Sequence, residues 1–316
     1  MRITFSWRLV KLLGVSAVLV LSAQLLLFTV RLGKHQAKPI PLPAEEYRLI
    51  SPLTYQYLLN QPDVCRDRSP FLVFMVPVSP QQFAAREAIR KTWGTSSPDT
   101  LTLFFAGAGQ GLQQELEEES GQYADIIQMN FVDSYQNLTI KTMMMMSWLA
   151  THCPKASYGM KVDSDIFVNV FYLIKRLRSS PRLNFITGSV IRDGRPRRNP
   201  NSKWYLSEEL YPEDSFPPYV SGAGYVFSTD LAGRISWASR FVQVIPLEDI
   251  YVGLCLRVLD IEPVYSYSLL PLRNLFEVQK LKYDRCTFAR LIIVNRFKPS
   301  ELVHAWQDFS KGHVSC

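Results

Sequence analysis

Residues 157–169 read Ser157-Tyr158-Gly159-Met160-Lys161-Val162-Asp163-Ser164-Asp165-Ile166-Phe167-Val168-Asn169. An apolar run ends on two carboxylates one residue apart, and a second apolar run follows. Ser157–Val162 has the length and continuity of a strand covered on both faces. Sheets built from such strands carry helices on their faces and bind ligands outside the carboxyl ends of the strands. On extended backbone, carboxylates at i and i+2 project in similar directions. Leaving the strand end, Asp163 and Asp165 can converge on a divalent cation, and oxygen ligands favour Mg²⁺ or Mn²⁺. Alternatively Lys161 neutralises them within the protein, since unpaired acids between buried runs are costly.

The alternation continues outward on both sides. Phe71–Val76, Leu101–Ala106 and Ala124–Phe131 read as strands upstream, and Asn184–Val190 and Tyr225–Phe227 as strands downstream. Helices are expected from Ser79 towards Lys91, over Leu138–His152, over Asn169–Arg178, from Asp230, and near Asp249–Leu259. Ser79-Pro80-Gln81-Gln82 offers an N-cap, a proline at N1 and a capping-box glutamine. Met143–Met146 falls inside a helix and reads as core packing. The pattern is that of an α/β sheet with helices on its faces.

The chain has 316 residues, 47% apolar and 20% charged, which excludes a disordered chain and a disulfide-stapled miniature. Its net charge is +7, but six of its 35 Lys and Arg lie within residues 1–43, which hold no acid. The remainder sets 29 basic against 28 acidic residues, so the charge does not describe a nucleic-acid surface. Leu12–Val30 runs 19 residues without a charge, about 28 Å as a helix, and reads as an uncleaved membrane anchor. Residues 1–11 are then a tail, and the proline-rich residues 31–69 a stem whose end, Tyr47–Leu59, forms a short helix. Residues 70–316 form the globular domain. Basic residues flank the anchor on both sides, so charge alone does not orient it. Asn137-Leu138-Thr139 is a glycosylation sequon. The five cysteines are widely spaced without a C-x-x-C pair, which fits one or two lumenal disulfides or buried thiols.

Further motifs have two readings each. Arg86 and Arg90 share a helix face and can meet phosphates, or pair with Glu87 and solvent. Glu248-Asp249 stands at a helix start, where an ionised carboxylate is favoured; Asp249 is a general base or a cap. Ser221-Gly222-Ala223-Gly224 admits a ligand close to the backbone, or makes a turn. The basic loop 192–203 is solvated, or is the rim of an anionic ligand's site.

Five strings in this order resemble one family: Arg86-Glu87-Ala88-Ile89-Arg90-Lys91-Thr92-Trp93-Gly94, Phe131 to Thr142, Lys161 to Asn169, Tyr219 to Tyr225, and Leu247 to Gly253. From about Cys65 onward the chain resembles the β-1,3-galactosyltransferases, within the broader family that includes β-1,3-N-acetylglucosaminyltransferases. The resemblance implies a GT-A fold with a mixed, mostly parallel sheet and helices on both faces. It implies a UDP-sugar donor, UDP-galactose in the nearer branch, with Mn²⁺ as cofactor and inversion at the anomeric carbon. The implied acceptor is a glycan ending in GlcNAc, GalNAc or galactose. A single-pass type II Golgi membrane protein follows, with the domain and a glycan at Asn137 in the lumen. Homo-oligomerisation stays open, and nucleic acid is no partner.

By motif position the resemblance makes Asp249 the base, kept ionised by helix-start amides, and Asp165 the first metal ligand with Asp163 beside it. Arg86, Arg90, Asp133, Lys141 and Ser164 fall on the donor side. Glu248, Trp204 and Tyr205 fall on the acceptor side. Aligning Phe297–Leu302 puts Asn295 where the family's metal-binding histidine stands, and an amide oxygen lacks the basicity of imidazole. Two alternatives follow: transfer of GlcNAc, or a catalytically weak or inactive protein of the same fold.

Overall fold

The computed structural model describes residues 24, 55–109, 111–265, 277–279 and 281–311. The architecture below belongs to the unit Leu49–Cys316. Residues 1–11, the expected anchor apart from Gln24, and the stem as far as residue 54 lie outside the described residues. Among the described residues no helix is long and apolar enough to cross a membrane.

In chain order the elements are β1 (Tyr57–Leu59), β2 (Leu72–Pro77), α1 (Phe83–Arg90), β3 (Thr100–Ala108), α2 (Gln113–Tyr123), β4 (Ile126–Val132), α3 (Leu138–His152), β5 (Tyr158–Val162), β6 (Phe167–Val168) and α4 (Val170–Leu177). Then follow β7 (Ile186–Ile191), β8 (Tyr219–Ser228), α5 (Thr229–Ala238), α6 (Glu248–Val258), β9 (Val264–Tyr265), β10 (Glu277–Gln279), α7 (Arg285–Phe288), β11 (Ile293–Asn295) and α8 (Pro299–Phe309). The main sheet is mixed, ordered β1-β4-β3-β2-β5-β8-β7-β9, and β10-β11-β6 form a second sheet. Its centre, β4-β3-β2-β5, is parallel, while β8 runs antiparallel between β5 and β7. Hence β2 to β5 and β7 end, and β8 begins, on one edge of the fold.

Every side chain of β2 is buried, as its unbroken apolar run requires. Leu72, Phe74 and Val76 join Ile89 and Trp93 in one core, while Val73 and Met75, a strand residue out of phase, face the other side, where α3 packs on β2 and β3. Gly159 lets α3 close on the sheet, since a Cβ there would stand 2.6 Å from Leu149 Cδ2. Met144, Met145 and Met146 are core residues. Cys65 and Cys153 form a disulfide, Cys286 is also disulfide-bonded, and Cys255 is a buried free thiol.

Three expectations need correction. The segment ending at Leu59 is no helix where it is described: Tyr57–Leu59 is an edge strand on β4, so the sheet reaches back into the expected stem. The helix expected from Ser79 begins at Phe83. Ser79–Gln82 instead forms a turn, with Gln82 N donating to Ser79 O at 3.0 Å and Ser79 N to Gln82 Oε1 at 2.7 Å. Arg86 holds the Ser79 and Pro80 carbonyls and keeps them out of the helix. Ser221–Gly224 is not a turn but lies inside β8, which starts six residues earlier than Tyr225.

Candidate active site

The strand β5 ends on Val162, and Asp163 N still donates to Ala223 O of β8 at 3.1 Å. The Trp93 indole then fixes the exit of the acidic turn by donating to Ile166 O at 2.8 Å. Phe297 N donates to Asp165 O at 2.8 Å, which brings Asn295 alongside the same turn. Between them Arg296 adopts a left-handed φ of 72°, a conformation uncommon outside glycine and found at functional turns.

Lys161 Nζ, almost fully buried, lies 2.7 Å from Asp163 Oδ1 and 2.9 Å from Glu248 Oε1, and donates to Gly222 O. Burial works against its charge, but Asp163 and Glu248 more than offset this and raise its pKa above the ordinary value. Glu248 sits at the start of α6 and accepts from Thr142 Oγ1 at 3.2 Å and Tyr225 OH at 3.1 Å through Oε2. Its Oε1 has no aligned hydrogen-bond donor despite the nearby ammonium. Burial, with Asp249 and Asp163 adding to it, outweighs Lys161 and pushes the Glu248 carboxyl up to about 7.

Asp249 accepts from Ile250 N at 2.9 Å and from Gly222 N at 3.1 Å. Gly222 is required here: a Cβ would stand 2.8 Å from Glu248 Oε1 and 3.3 Å from Asp249 Oδ2. The Ile250 amide at the helix start acts in the expected direction, favouring ionised Asp249, but it is not the largest influence. Burial raises its pKa, and the Ile250 and Gly222 amides and Lys161 only partly oppose it. A carboxylate raised in this way is a stronger base once ionised.

These side chains open into a cleft of about 760 Å³ at the common edge of the strands. Its lining joins Asp163, Asn295, Trp204, Glu248 and Asp249, all expected at the site, to Tyr135, Asp193, Arg195, Arg197, Lys203 and Tyr219. Tyr205 does not line it and instead bridges Arg197 through the backbone. Asp165 lies just outside the lining; burial and Asp163 raise its carboxyl, against its own amide, Lys161 and Arg296.

The donor-side expectations meet a different structure. Arg86 is 1% exposed and bidentate on Glu119 at 2.8 and 2.6 Å; Arg90 is bidentate on Asp125 and also pairs with Glu119 at 2.7 Å. These guanidiniums clamp α1 to α2 and the entry of β4, and neither lines the cleft, so the phosphate role expected of them is corrected to a structural one. Lys141 pairs with Asp133 at 2.8 Å and donates to Val78 O, while Asp133 accepts from Gly107 N, tying the ends of β2, β3 and β4 together. Ser164 accepts from Gln82 Nε2 at 3.1 Å. Half-buried Asn137 ends a 3₁₀ turn with its Nδ2 donating to Val132 O. Sequence reasoning missed Tyr135, Tyr219, Tyr225 and Thr142. All four lie inside the quoted strings Phe131–Thr142 and Tyr219–Tyr225, but nothing singles them out there, because sheet pairing and the fold of α3 bring them to the acids.

The galactosyltransferase family model matches residues 84–266. β-1,3-Galactosyltransferase 2 of Mus musculus and of Homo sapiens is 42% identical over 274 residues, 83% of this chain. The chain spans 64% of the length of that relative. β-1,3-Galactosyltransferase 1 of Mus musculus is 43% identical over 279 residues, 85% of this chain and 83% of the relative. The solved galactosyltransferase LgtC, with donor and acceptor sugar analogues, has a TM-score of 0.40 at 10% identity, covering 76% of this chain and 97% of that one, a likeness too slight to fix the fold. With the matched residues spanning most of the main sheet and the cleft's acids, this chain belongs to the galactosyltransferase family.

Proposed function

We propose that the chain is an inverting glycosyltransferase of GT-A type that moves galactose from UDP-galactose to the 3-hydroxyl of an acceptor sugar, making a β-1,3 linkage. The observation that carries this reading is Asp249, a raised carboxylate held by two amides in a cleft at the carboxyl ends of the strands. In an inverting displacement the hydroxyl attacks the face opposite the departing diphosphate, so its base must stand clear of that diphosphate. Asp249 takes the hydroxyl proton through a carboxylate whose direction Gly222 and Ile250 fix. Lys161 pairs with Asp163 and Glu248 beside it and favours the ionised form of Asp249, against the burial that raises it. Trp204, 48% exposed, offers a ring face for the apolar side of the acceptor sugar.

Among the described residues no three His, Cys, Asp or Glu side chains form a ready-made metal cage. Asp165, which makes no ion pair among the described residues and is raised by burial and then by Asp163, is nevertheless the kind of carboxylate a cation would stabilise. Asp165, Asp163 and Asn295 offer the oxygen donors that a hard cation takes. They would hold Mn²⁺, which supplies positive charge against that developing on the leaving diphosphate. The protein is further read as a type II Golgi membrane protein anchored by residues 12–30, acting on glycans ending in GlcNAc, GalNAc or galactose.

The test is transfer by the full chain from UDP-galactose and UDP-GlcNAc, with Mn²⁺ or with excess chelator, and linkage analysis of the product. Galactose in β-1,3 linkage, lost in chelator and in Asp165→Asn, is expected. Faster GlcNAc transfer would replace the donor. Asn295 in the cleft favours a second reading, a catalytically weak protein of the same fold, and absence of transfer from both donors would establish it.

A further inference from the structure

The basic loop after β7 divides into two groups of cations. Arg192 pairs with Glu262 at 3.1 Å and stacks on Tyr265, while Arg198 holds the carbonyls of Leu206, Tyr211 and Glu213. These two fold the loop. Arg195, Arg197 and Lys203 do not: they are exposed, they line the cleft, and among the described residues none forms an ion pair. Lys203 Nζ stands over the rings of Trp204 at 4.7 Å and Tyr135 at 5.7 Å, so its charge is carried on an aromatic shelf. Asp193 is the single acid that this loop adds to the lining.

The cleft is thus polarised. Its floor carries Asp163, Glu248 and Asp249 around one buried lysine, and its rim carries three cations without an ion pair among the described residues, against one acid. The rim loop packs through Tyr219 on the helix of Asp249: a Cβ on Gly194 would stand 2.7 Å from Tyr219 Cε1, and one on Gly253 of α6 2.7 Å from Tyr219 Cβ. Burial pushes the Tyr219 phenol up to about 12, and Asp249 and Asp193 add to that shift while Arg197 opposes it, so one ring lies within electrostatic reach of the base and of the rim. Burial raises the Tyr135 phenol under Lys203, and Asp249, Asp163 and Glu248 all add to that shift, so this ring faces the whole acidic floor. Since the base and the leaving diphosphate occupy opposite faces of the transferred sugar, a cation beside the base meets the acceptor.

We propose that Arg195, Arg197 and Lys203 form a subsite for an anionic substituent, a sulfate or a carboxylate, on the acceptor glycan next to the sugar that receives galactose. This rests on the galactosyl-transfer reading only for the word acceptor; the subsite itself is read by binding. Exposed cations attract such a group with long reach but under salt screening, so the preference must weaken as ionic strength rises. Guanidiniums add bidentate geometry for either anion.

The experiment uses the full chain and three acceptors: a β-GlcNAc disaccharide, the same disaccharide carrying a 6-sulfate, and the same carrying a uronate as its second sugar. Titration calorimetry and kcat/KM are measured for each, at low and at physiological salt. The expected result is a preference of about tenfold for one charged acceptor, shrinking with salt. In Arg195→Gln/Arg197→Gln/Lys203→Gln that preference falls towards parity. The sulfate and uronate arms tell which anion is taken. Equal affinity for neutral and charged acceptors in the wild type overturns the proposal. So does a preference the triple variant retains, or a variant whose defect is a raised KM for UDP-galactose, which would assign the cations to the diphosphate. Charge-dependent binding with no turnover would sustain the subsite and sink the transferase reading, which keeps the two failures apart.

Discussion

Asp249→Asn replaces a proton acceptor by an amide of equal volume, and it can keep only one of the two backbone amides now bound, those of Gly222 and Ile250. As the base it should lose about 10²–10⁴ in transfer rate, with UDP affinity unchanged, in a protein that melts within a few degrees of wild type. A wild-type rate would move suspicion to Glu248. The sign of the pH effect follows from burial: the base works ionised and its pKa is raised, so transfer falls as pH drops through a value above the ordinary ~3.9 of an aspartate. The acid limb of a kcat/KM profile reads it. Asn295→His offers the opposite test. Imidazole is a stronger donor than an amide oxygen, so the variant should need less Mn²⁺ for half-maximal rate; an unchanged requirement would mean that Asn295 is no ligand. At this scale the sequence was partly readable. Asp163, Glu248 and Asp249 announce themselves as acids between apolar runs. Lys161 was read as neutralising Asp163 and Asp165; its actual second partner, Glu248, lies 87 residues away and is reached only across β8.

Helices α1 and α2 meet through Arg86, Arg90, Glu119 and Asp125, with Arg90 also stacked 3.9 Å over the Tyr123 ring. Removing one member of a buried pair leaves the other charge uncompensated, at a cost of about 3–5 kcal/mol. Arg86→Met should therefore lower the denaturation midpoint strongly while the KM for UDP-galactose of the folded fraction stays put. A raised KM at unchanged stability would return Arg86 to the donor site. The i, i+4 spacing correctly put both arginines on one helix face. Their partners were illegible because α2, Gln113-Gln114-Glu115-Leu116-Glu117-Glu118-Glu119, shows so little apolar periodicity that nothing marks Glu119 as buried. The long elements were read almost to the residue: Leu138–His152 is a helix over those bounds, and β5 differs by one residue at its start. Edge strand β1 escaped because three residues carry no period, and β8 was cut short because Ser221–Gly224 reads as a close approach to a ligand or a turn, where Gly222 brings backbone up to two carboxylates within the strand.

For the molecule as a whole, the reading as an anchored lumenal protein makes two joint predictions. The full chain should partition with membranes through residues 12–30, and N-glycosidase should shift its mobility by one glycan, which Asn137→Gln abolishes. A chain released by alkaline carbonate, or a shift that survives in Asn137→Gln, would refute the corresponding half. Asn137 lies between Tyr135 and Leu138, both of which line the cleft, so removing the glycan should be accompanied by measurements of acceptor KM. Cys255 has a further use at this scale. It is a buried, unpaired thiol on the same helix as Asp249, and burial raises its pKa so far that almost no thiolate exists in the native state. The native protein is therefore silent to alkylating reagents at this position and becomes reactive only when α6 detaches. The chain thus carries its own stopwatch: the alkylation half-life of the Cys255 peptide times the opening of the helix that bears the base, and any nucleotide or glycan that clamps the cleft shut should lengthen it.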